Sequence, residues 1–251
     1  MRMALHPLAE RFAEVAGEYE RGRPEYVPAV VGAIAAELRI PAGAPVLDLA
    51  AGTGKLTRAL LSHGLDVVAV EPLASLREVL ATSVGEERVR EGVAEAIPLP
   101  DGSVHAVTVG DAFHWFDQQA ALDEIHRVLR PDGGLAILST APDWSGASWA
   151  HELGSLVADS RPEHPYFDGP PWQESVRASG RWRNVHDIRI TTSQRADPER
   201  IVDHLASMSW LAAMPEDERD GLLERSRAII QAGDTPAELP VHVLIGLTTR
   251  A

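Results

Sequence analysis

Apolar and polar positions change rhythm along this chain, and the changes predict its elements. Val46-Leu47-Asp48-Leu49 is a short apolar run ending in a glycine turn. Asp66 to Val70 reads as a second buried strand, Arg88 to Val93 as a third and weaker one, Val104 to Val109 as a fourth and Leu135 to Ser139 as a fifth. Helical spacing fills the gaps. Lys55 to His63 carries Leu56, Leu60 and Leu61 before Gly64 stops it, and Leu73 to Thr82 and Ala120 to Leu129 follow. Continuous apolar strands separated by helices predict a parallel sheet covered on both faces.

The flanks read differently. Residues from about 4 to 20 predict an amphipathic helix. Gly22, Pro24 and Pro28 break the segment Tyr19 to Pro28, and a helix over about 29–38 is closed by Pro41, Gly43 and Pro45. Beyond about residue 141 helices are predicted near 145–159, 170–179, 197–212 and 216–232. The strand-like runs Val185 to Thr191 and Val241 to Thr248 fall at one sheet edge. Five tryptophans, Trp144, Trp149, Trp172, Trp182 and Trp210, lie here against Trp115 alone before. They read as the core of a small helical cap, with some lining an apolar substrate pocket. The division expected is an N-terminal helical segment over the ligand site at 1–44, a core at 45–140, and at 141–251 the cap with the last two strands of a seven-stranded, mostly parallel sheet.

Composition narrows the chemistry. The 251 residues carry a formal net charge of -14 with scattered acids, which repels phosphate backbones and argues against a nucleic-acid partner. There is no cysteine, which removes disulfides, thiolate metal sites and cysteine nucleophiles. No metal-ligand cluster is visible. Met1 to Glu20 holds no apolar run of signal-peptide length, and no stretch approaches the roughly 18 apolar residues of a membrane span. The expectation is a cytoplasmic monomer or homodimer without a membrane partner.

The turn after the first strand carries the chemistry. Asp48 precedes Ala50, Gly52 and Gly54, and a helix opens at about Lys55. Glycines there let the backbone approach a ligand at the carboxyl ends of the strands. A dinucleotide fingerprint fits poorly, because Thr57 stands three residues after Gly54. A P-loop is absent, because no glycine lies five residues before Gly54. The acid Asp48 suits an ammonium group better than a pyrophosphate. Glu71, 71 − 48 = 23 positions on, can accept both hydroxyls of a ribose, and Pro72 follows it. Ala94 and Glu95, near the third strand's end, can read an adenine. Acids at three successive strand tips specify S-adenosyl-L-methionine, a nucleoside with an amino acid and no phosphate.

VLDLAAGTGKLTRALLSHGLDVVAVEP resembles the first motif through the second-strand acid of class I S-adenosylmethionine-dependent methyltransferases. AEAIPLPDGSVHAVTVGDAFHWFD and ALDEIHRVLRPDGGLAI resemble their small-molecule branch, and YERGRPEYVP is similar to the segment preceding the core in the aconitate-type group. The resemblance covers residues 19–140 and implies a Rossmann-like fold. Two departures are Ala50, where the family's first motif glycine stands, and His105, where an Asp is usual.

The resemblance also implies that the loop Asp111 to Trp115 borders the transferable methyl. Gly110 and Asp111 would line the cofactor pocket by backbone contacts. His114 reads either as a general base with a near-neutral pKa or as a packing residue. Tyr19 and Arg23 fold over the cofactor carboxylate or an acidic substrate, or else form a hinge. The activity expected is O-methylation of a small molecule at a carboxylate or hydroxyl. An S-adenosylmethionine-binding protein that senses the ligand or catalyses a non-methylating reaction is the alternative. DNA amino-methylation is disfavoured because GDAFHW is not an Asp/Asn-Pro-Pro-Tyr element.

Overall fold

The computed structural model describes residues 5–143, 148–195, 197–233 and 238–251. The strands are β1 (Pro45–Leu49), β2 (Asp66–Val70), β3 (Val89–Arg90), β4 (Val104–Gly110), β5 (Leu129–Pro142), β6 (Trp182–Arg195) and β7 (Glu238–Arg250). They form one seven-stranded sheet in the order β3-β2-β1-β4-β5-β7-β6. The pairs from β3 to β5 are parallel, and β7 runs antiparallel to both β5 and β6. This is the Rossmann-like, mostly parallel sheet that the alternation of runs predicts.

Alternation along the strands builds two apolar layers. Leu47, Val107 and Leu135 join Ala121, Leu122 and Ile125 of α6 (Gln118–Val128) on one face. Val46, Ala106 and Ala136 join Val30, Val31 and Ile34 of α3 (Pro28–Glu37) and Leu56 and Leu60 of α4 (Lys55–Ser62) on the other. The helix α3 therefore belongs to the sheet core, so within 1–44 only the residues before it face the ligand side. A third core belongs to the cap. Trp149 of α7 (Ser148–Ser160), Ile201 and Leu205 of α10 (Pro198–Ala206), Trp210 of α11 (Ser209–Ala212) and Leu222 of α12 (Glu216–Ala232) meet there.

Several elements depart from the pattern. The N-terminal helix is broken into α1 (Pro7–Glu10), a 3-10 turn at Arg11–Glu14, and α2 (Ala16–Gly22). Val15 leaves helical geometry at φ -123, and the turn sets Phe12 edge-on to Tyr19 at 5.8 Å. The predicted helix over 197–212 splits at Ser207, whose hydroxyl donates to His204 O at 2.7 Å and competes with the helical ladder. Strand β3 ends at Arg90, so Ala94 and Glu95 sit in a loop held by a Val93–Ala96 bridge.

Strands β5 and β6 span 14 residues each, longer than their apolar runs, and in the edge strand β6 exposed charged residues alternate with half-buried ones. A short helix, α8 (Pro165–Asp168), lies in a proline-rich stretch without apolar periodicity. Trp172 and Trp182 pack against the sheet face beside α6 rather than in the cap, and Trp144 lies outside the described residues. Among the described residues no helix is long and apolar enough to cross a membrane.

Candidate functional site

The turn from β1 into α4 holds three left-handed residues, Ala50 at φ 55, Gly52 at φ 59 and Gly54 at φ 92. They fold the backbone back under Tyr19. A Cβ built on Gly52 would meet only Tyr19 Cε1, at 4.0 Å, so this residue opens onto empty space. A Cβ on Gly54 would lie 2.6 Å from Leu80 Cδ1 of α5 (Ala74–Val84). Gly54 therefore serves the approach of α4 to α5 and does not line the ligand space, contrary to its reading as a cofactor residue.

Asp48 is also displaced from its expected role. Its side chain points to the α4 side of the sheet, where Thr57 Oγ1 donates to Oδ2 at 2.6 Å and Thr108 Oγ1 to Oδ1 at 3.2 Å. It is buried and absent from the cavity wall. Burial pushes its carboxyl up to about 7 against the pull of both threonines. Asp48 clamps β1, β4 and α4 behind the turn.

A cavity of about 580 Å³ opens at the carboxyl ends of β1, β2 and β4. Tyr19, Ala50, Gly52, Glu71, Pro72, Ala94, Glu95, Gly110 and Asp111 all line it. Glu71 Oε2 accepts from Gly52 N and Oε1 from Leu73 N, each at 2.9 Å. Each oxygen keeps acceptor capacity for a further donor. Burial pushes this carboxyl, too, up to about 7. Glu95 Oε1 accepts from Asp117 N at 2.9 Å and so ties the loop after β3 to the start of α6.

Asp111 does more than the backbone lining expected of it. Held at φ 54, its side chain accepts from Thr140 N at 2.8 Å, from Thr140 Oγ1, and from Tyr26 OH at 3.2 Å. His6, Phe12 and Trp115 complete the wall. Phe12 stands edge-on to Trp115 at 6.0 Å and His6 tilts over the same indole at 5.1 Å. Sequence reasoning misses His6 and Phe12, since an isolated ring at a helix cap or in a 3-10 turn carries no signal of what it will face.

A second cavity, of about 520 Å³, shares Phe12, Tyr19, Asp111 and Trp115 with the first. Its remaining wall includes Arg23 after α2, His114 after β4, and His164, Tyr166, Ser209 and Trp210 from the cap. Arg23 lines this cavity and not the cofactor-side one. His114 is not poised near neutrality. Burial, then the neighbouring His164 and Arg23, push it down to about 3. His164 is likewise held down, to about 4, by burial first. Among the described residues no three potential ligand side chains gather to hold a metal ion.

Residues 47–137 match a family model described as a methyltransferase domain. Over 231 residues the chain is 36% identical to an uncharacterised methyltransferase of Mycobacterium tuberculosis, spanning 92% of this chain and 89% of that one. This chain belongs to the class I S-adenosylmethionine-dependent methyltransferases. A malonyl-[acyl-carrier protein] O-methyltransferase of Coxiella burnetii is 32% identical over 174 residues, covering 66% of this chain and 53% of its own. The fold also matches the solved structure of a putative type II methyltransferase from Anaeromyxobacter dehalogenans, with TM-score 0.60 and 22% identity over 91% of this chain and 97% of that one.

The cofactor of this methyltransferase is S-adenosyl-L-methionine, and the residues present fit it. Gly52 leaves a cradle that any Cβ would enter, and Glu71 offers two carboxylate oxygens beside it. Among the described residues the first cavity has no Lys or Arg in its wall, which suits a cationic ligand without phosphate.

Proposed function

We propose that this methyltransferase moves the methyl group of S-adenosyl-L-methionine onto an oxygen, carboxylate or hydroxyl, of a small molecule held in the second cavity. The observation that carries this reading is the junction of the two cavities at Phe12, Tyr19, Asp111 and Trp115. One ligand reaches that junction from the strand tips and the other from the cap. In this reading Glu71 receives the ribose hydroxyls, and the Ala94-Glu95 loop with Pro72 borders the adenine. Ala50, Gly52, Tyr19, Gly110 and Asp111 surround the amino-acid end. Residues 5–23 form the roof of this site.

When bound, the cofactor supplies a sulfonium-activated methyl group, so the protein's task is alignment and exclusion of water. Phe12 and Trp115 supply apolar surface at the junction. The groups around it make poor bases. His114 and His164 are held neutral by burial, and the Asp111 oxygens are spent on Tyr26 and Thr140. A carboxylate acceptor needs no base, which favours it over a hydroxyl of high pKa. The Coxiella burnetii relative, itself an O-methyltransferase, supports oxygen as the target.

The test is incubation with methyl-labelled cofactor and a panel of carboxylic acids, phenols and aliphatic alcohols. The expected result is S-adenosylhomocysteine with a labelled ester or ether. Tight cofactor binding with no demethylated product from any acceptor would move the assignment to a sensing or non-methylating protein of the same fold.

A further inference from the structure

We propose that the second cavity selects acceptors carrying a single negative charge beside an apolar, aromatic-sized body, and that Arg23 receives that charge. The proposal rests on the reading of this cavity as the acceptor site. Arg23 follows α2, and its guanidinium is partly buried in the cavity wall. Its Nε donates to Ser207 Oγ at 2.8 Å, its Nη2 reaches Ser207 O at 3.5 Å, and it lies 5.3 Å from the centre of the Tyr19 ring. Among the described residues no carboxylate comes within ion-pair distance of it, and its Nη1 donates to none of them.

That arrangement is out of character for this chain. Acids outnumber bases 37 to 23, and three other cations near the ligand face are paired, whereas Arg200, which donates to Arg23 O at 3.4 Å, lies outside the wall of this cavity. Lys55 meets Glu20 and Glu25, Arg21 meets Asp203, and Arg161, the second cation of this cavity, meets Asp168 at 3.2 Å. The carboxylate whose field reaches Arg23, Asp111, gives its oxygens to Thr140 and Tyr26 instead. A partly buried cation without a counter-ion is costly, and a planar guanidinium aimed by a serine suits a carboxylate or sulfonate.

The rest of the wall limits the ligand to one charge. His164 Nδ1 accepts from Tyr166 N at 3.2 Å, so the ring proton sits on Nε2 and points to Ser209 Oγ, also at 3.2 Å. That imidazole is neutral and offers a second anion no partner. His114 stacks obliquely on Trp115 at 4.5 Å and meets Tyr166 edge-on at 5.1 Å. An apolar or aromatic body would lie against these packed rings, with its charge toward Arg23.

The experiment uses two fluorescent probes with the same rings, the anion 8-anilinonaphthalene-1-sulfonate and the uncharged N-phenyl-1-naphthylamine. Both are titrated into protein saturated with S-adenosylhomocysteine, which keeps them out of the first cavity. Wild type is expected to prefer the anion by about tenfold, the scale of one charge-assisted pair. Arg23→Gln should abolish that preference while leaving the uncharged probe and the calorimetric affinity for S-adenosylhomocysteine within about twofold. Ser207→Ala, a milder change that frees the guanidinium, should lower the preference by about threefold.

A preference that survives Arg23→Gln overturns the proposal. So does a variant that loses S-adenosylhomocysteine binding and keeps the anion preference, which would assign Arg23 to the cofactor. If wild type binds no S-adenosylhomocysteine, the methyltransferase reading of the site fails separately, and the comparison of the two probes still decides the role of Arg23.

Discussion

Adding one methyl at Gly52 and one at Gly54 should produce opposite defects, although the residues stand two apart in one turn. Both have positive φ, so an alanine at either position pays the left-handed cost of about 1–2 kcal/mol. Beyond that the surroundings decide. The Gly52 methyl would stand 4.0 Å from Tyr19 Cε1, inside the cofactor-side cavity. Gly52→Ala should therefore lose about 1–2 kcal/mol of stability and on the order of tenfold or more in S-adenosylhomocysteine affinity. The Gly54 methyl would stand 2.6 Å from Leu80 Cδ1 and 3.4 Å from Ser83 Oγ.

Leu80 is fully buried and has little room to yield, so overpacking adds about 1–3 kcal/mol, and Gly54→Ala should cost about 2–5 kcal/mol in total. Its folded fraction should bind cofactor product within about threefold of wild type. Chemical denaturation measures the first quantity and titration calorimetry the second. Leu80→Ala gives an internal check. Placed on Gly54→Ala it should cost less than the two single changes summed, because the clash and the cavity cancel. Gly54→Ala with intact stability and tenfold weaker binding would refute the assignment of faces, as would Gly52→Ala with unchanged affinity.

Burial holds Glu71 at about 7 in the folded chain against an ordinary 4.5, so folding takes up a proton at this site. Its contribution to stability is fullest below about pH 4.5 and is lost as pH rises through 7; relative to wild type, Glu71→Gln should gain on the order of 1–3 kcal/mol between pH 5 and 8. A pH-independent difference in denaturation midpoints would contradict this. Ribose hydroxyls favour the ionised carboxylate, so 5′-methylthioadenosine should bind wild type more tightly as pH rises from about 6 to 8 and bind Glu71→Gln evenly across that range. Ala50, an L-residue at φ 55, should release about 0.5–1 kcal/mol when replaced by glycine, read as a raised denaturation midpoint. A Cβ on Gly22 would lie 2.2 Å from His204 N, a backbone atom that cannot step aside, so Gly22→Ala should cost on the order of 3–5 kcal/mol and lower the melting temperature. An alanine tolerated there would mean that α2 and α10 do not touch.

What the sequence discloses depends on whether a property is local. The turn after β1 is legible because an apolar run followed by glycines is a backbone event. Glu71 is legible because it stands at the tip of a short, continuous apolar strand. Asp48 is misread, yet its signal is present. In a strand of period two it shares a face with Val46, opposite Leu47 and Leu49, and Leu49 is the residue that lines the cavity. Gly54 is misread because its partner, Leu80, is 26 positions on, 80 − 54. The His114 pKa cannot be read from a motif at all, since its burial comes partly from the cap, where His164 is a lone histidine in an aperiodic stretch.

Charge is divided between the two cavities in a way that neither motif alone reveals. The cofactor side carries Glu71, Glu95 and Asp117, shares Asp111 with the cap side, and among the described residues has no Lys or Arg. The cap side carries Arg23 and imidazoles that burial keeps uncharged. An acid-lined cavity rimmed by Phe12, Tyr19 and Trp115 attracts a cation, through carboxylates and through aromatic faces. A cavity with one unpaired guanidinium attracts an anion. Placed mouth to mouth, the two select ligands of opposite sign that attract each other across a junction of low polarity, where Coulomb interactions exceed their strength in water. The same division disfavours a pyrophosphate in the first cavity, in line with the poor fit of the glycine pattern to a dinucleotide fingerprint. It also accounts for Arg23 standing over the Tyr19 ring and outside the first cavity's wall, since a guanidinium among the strand-tip acids would cancel the field that favours the sulfonium.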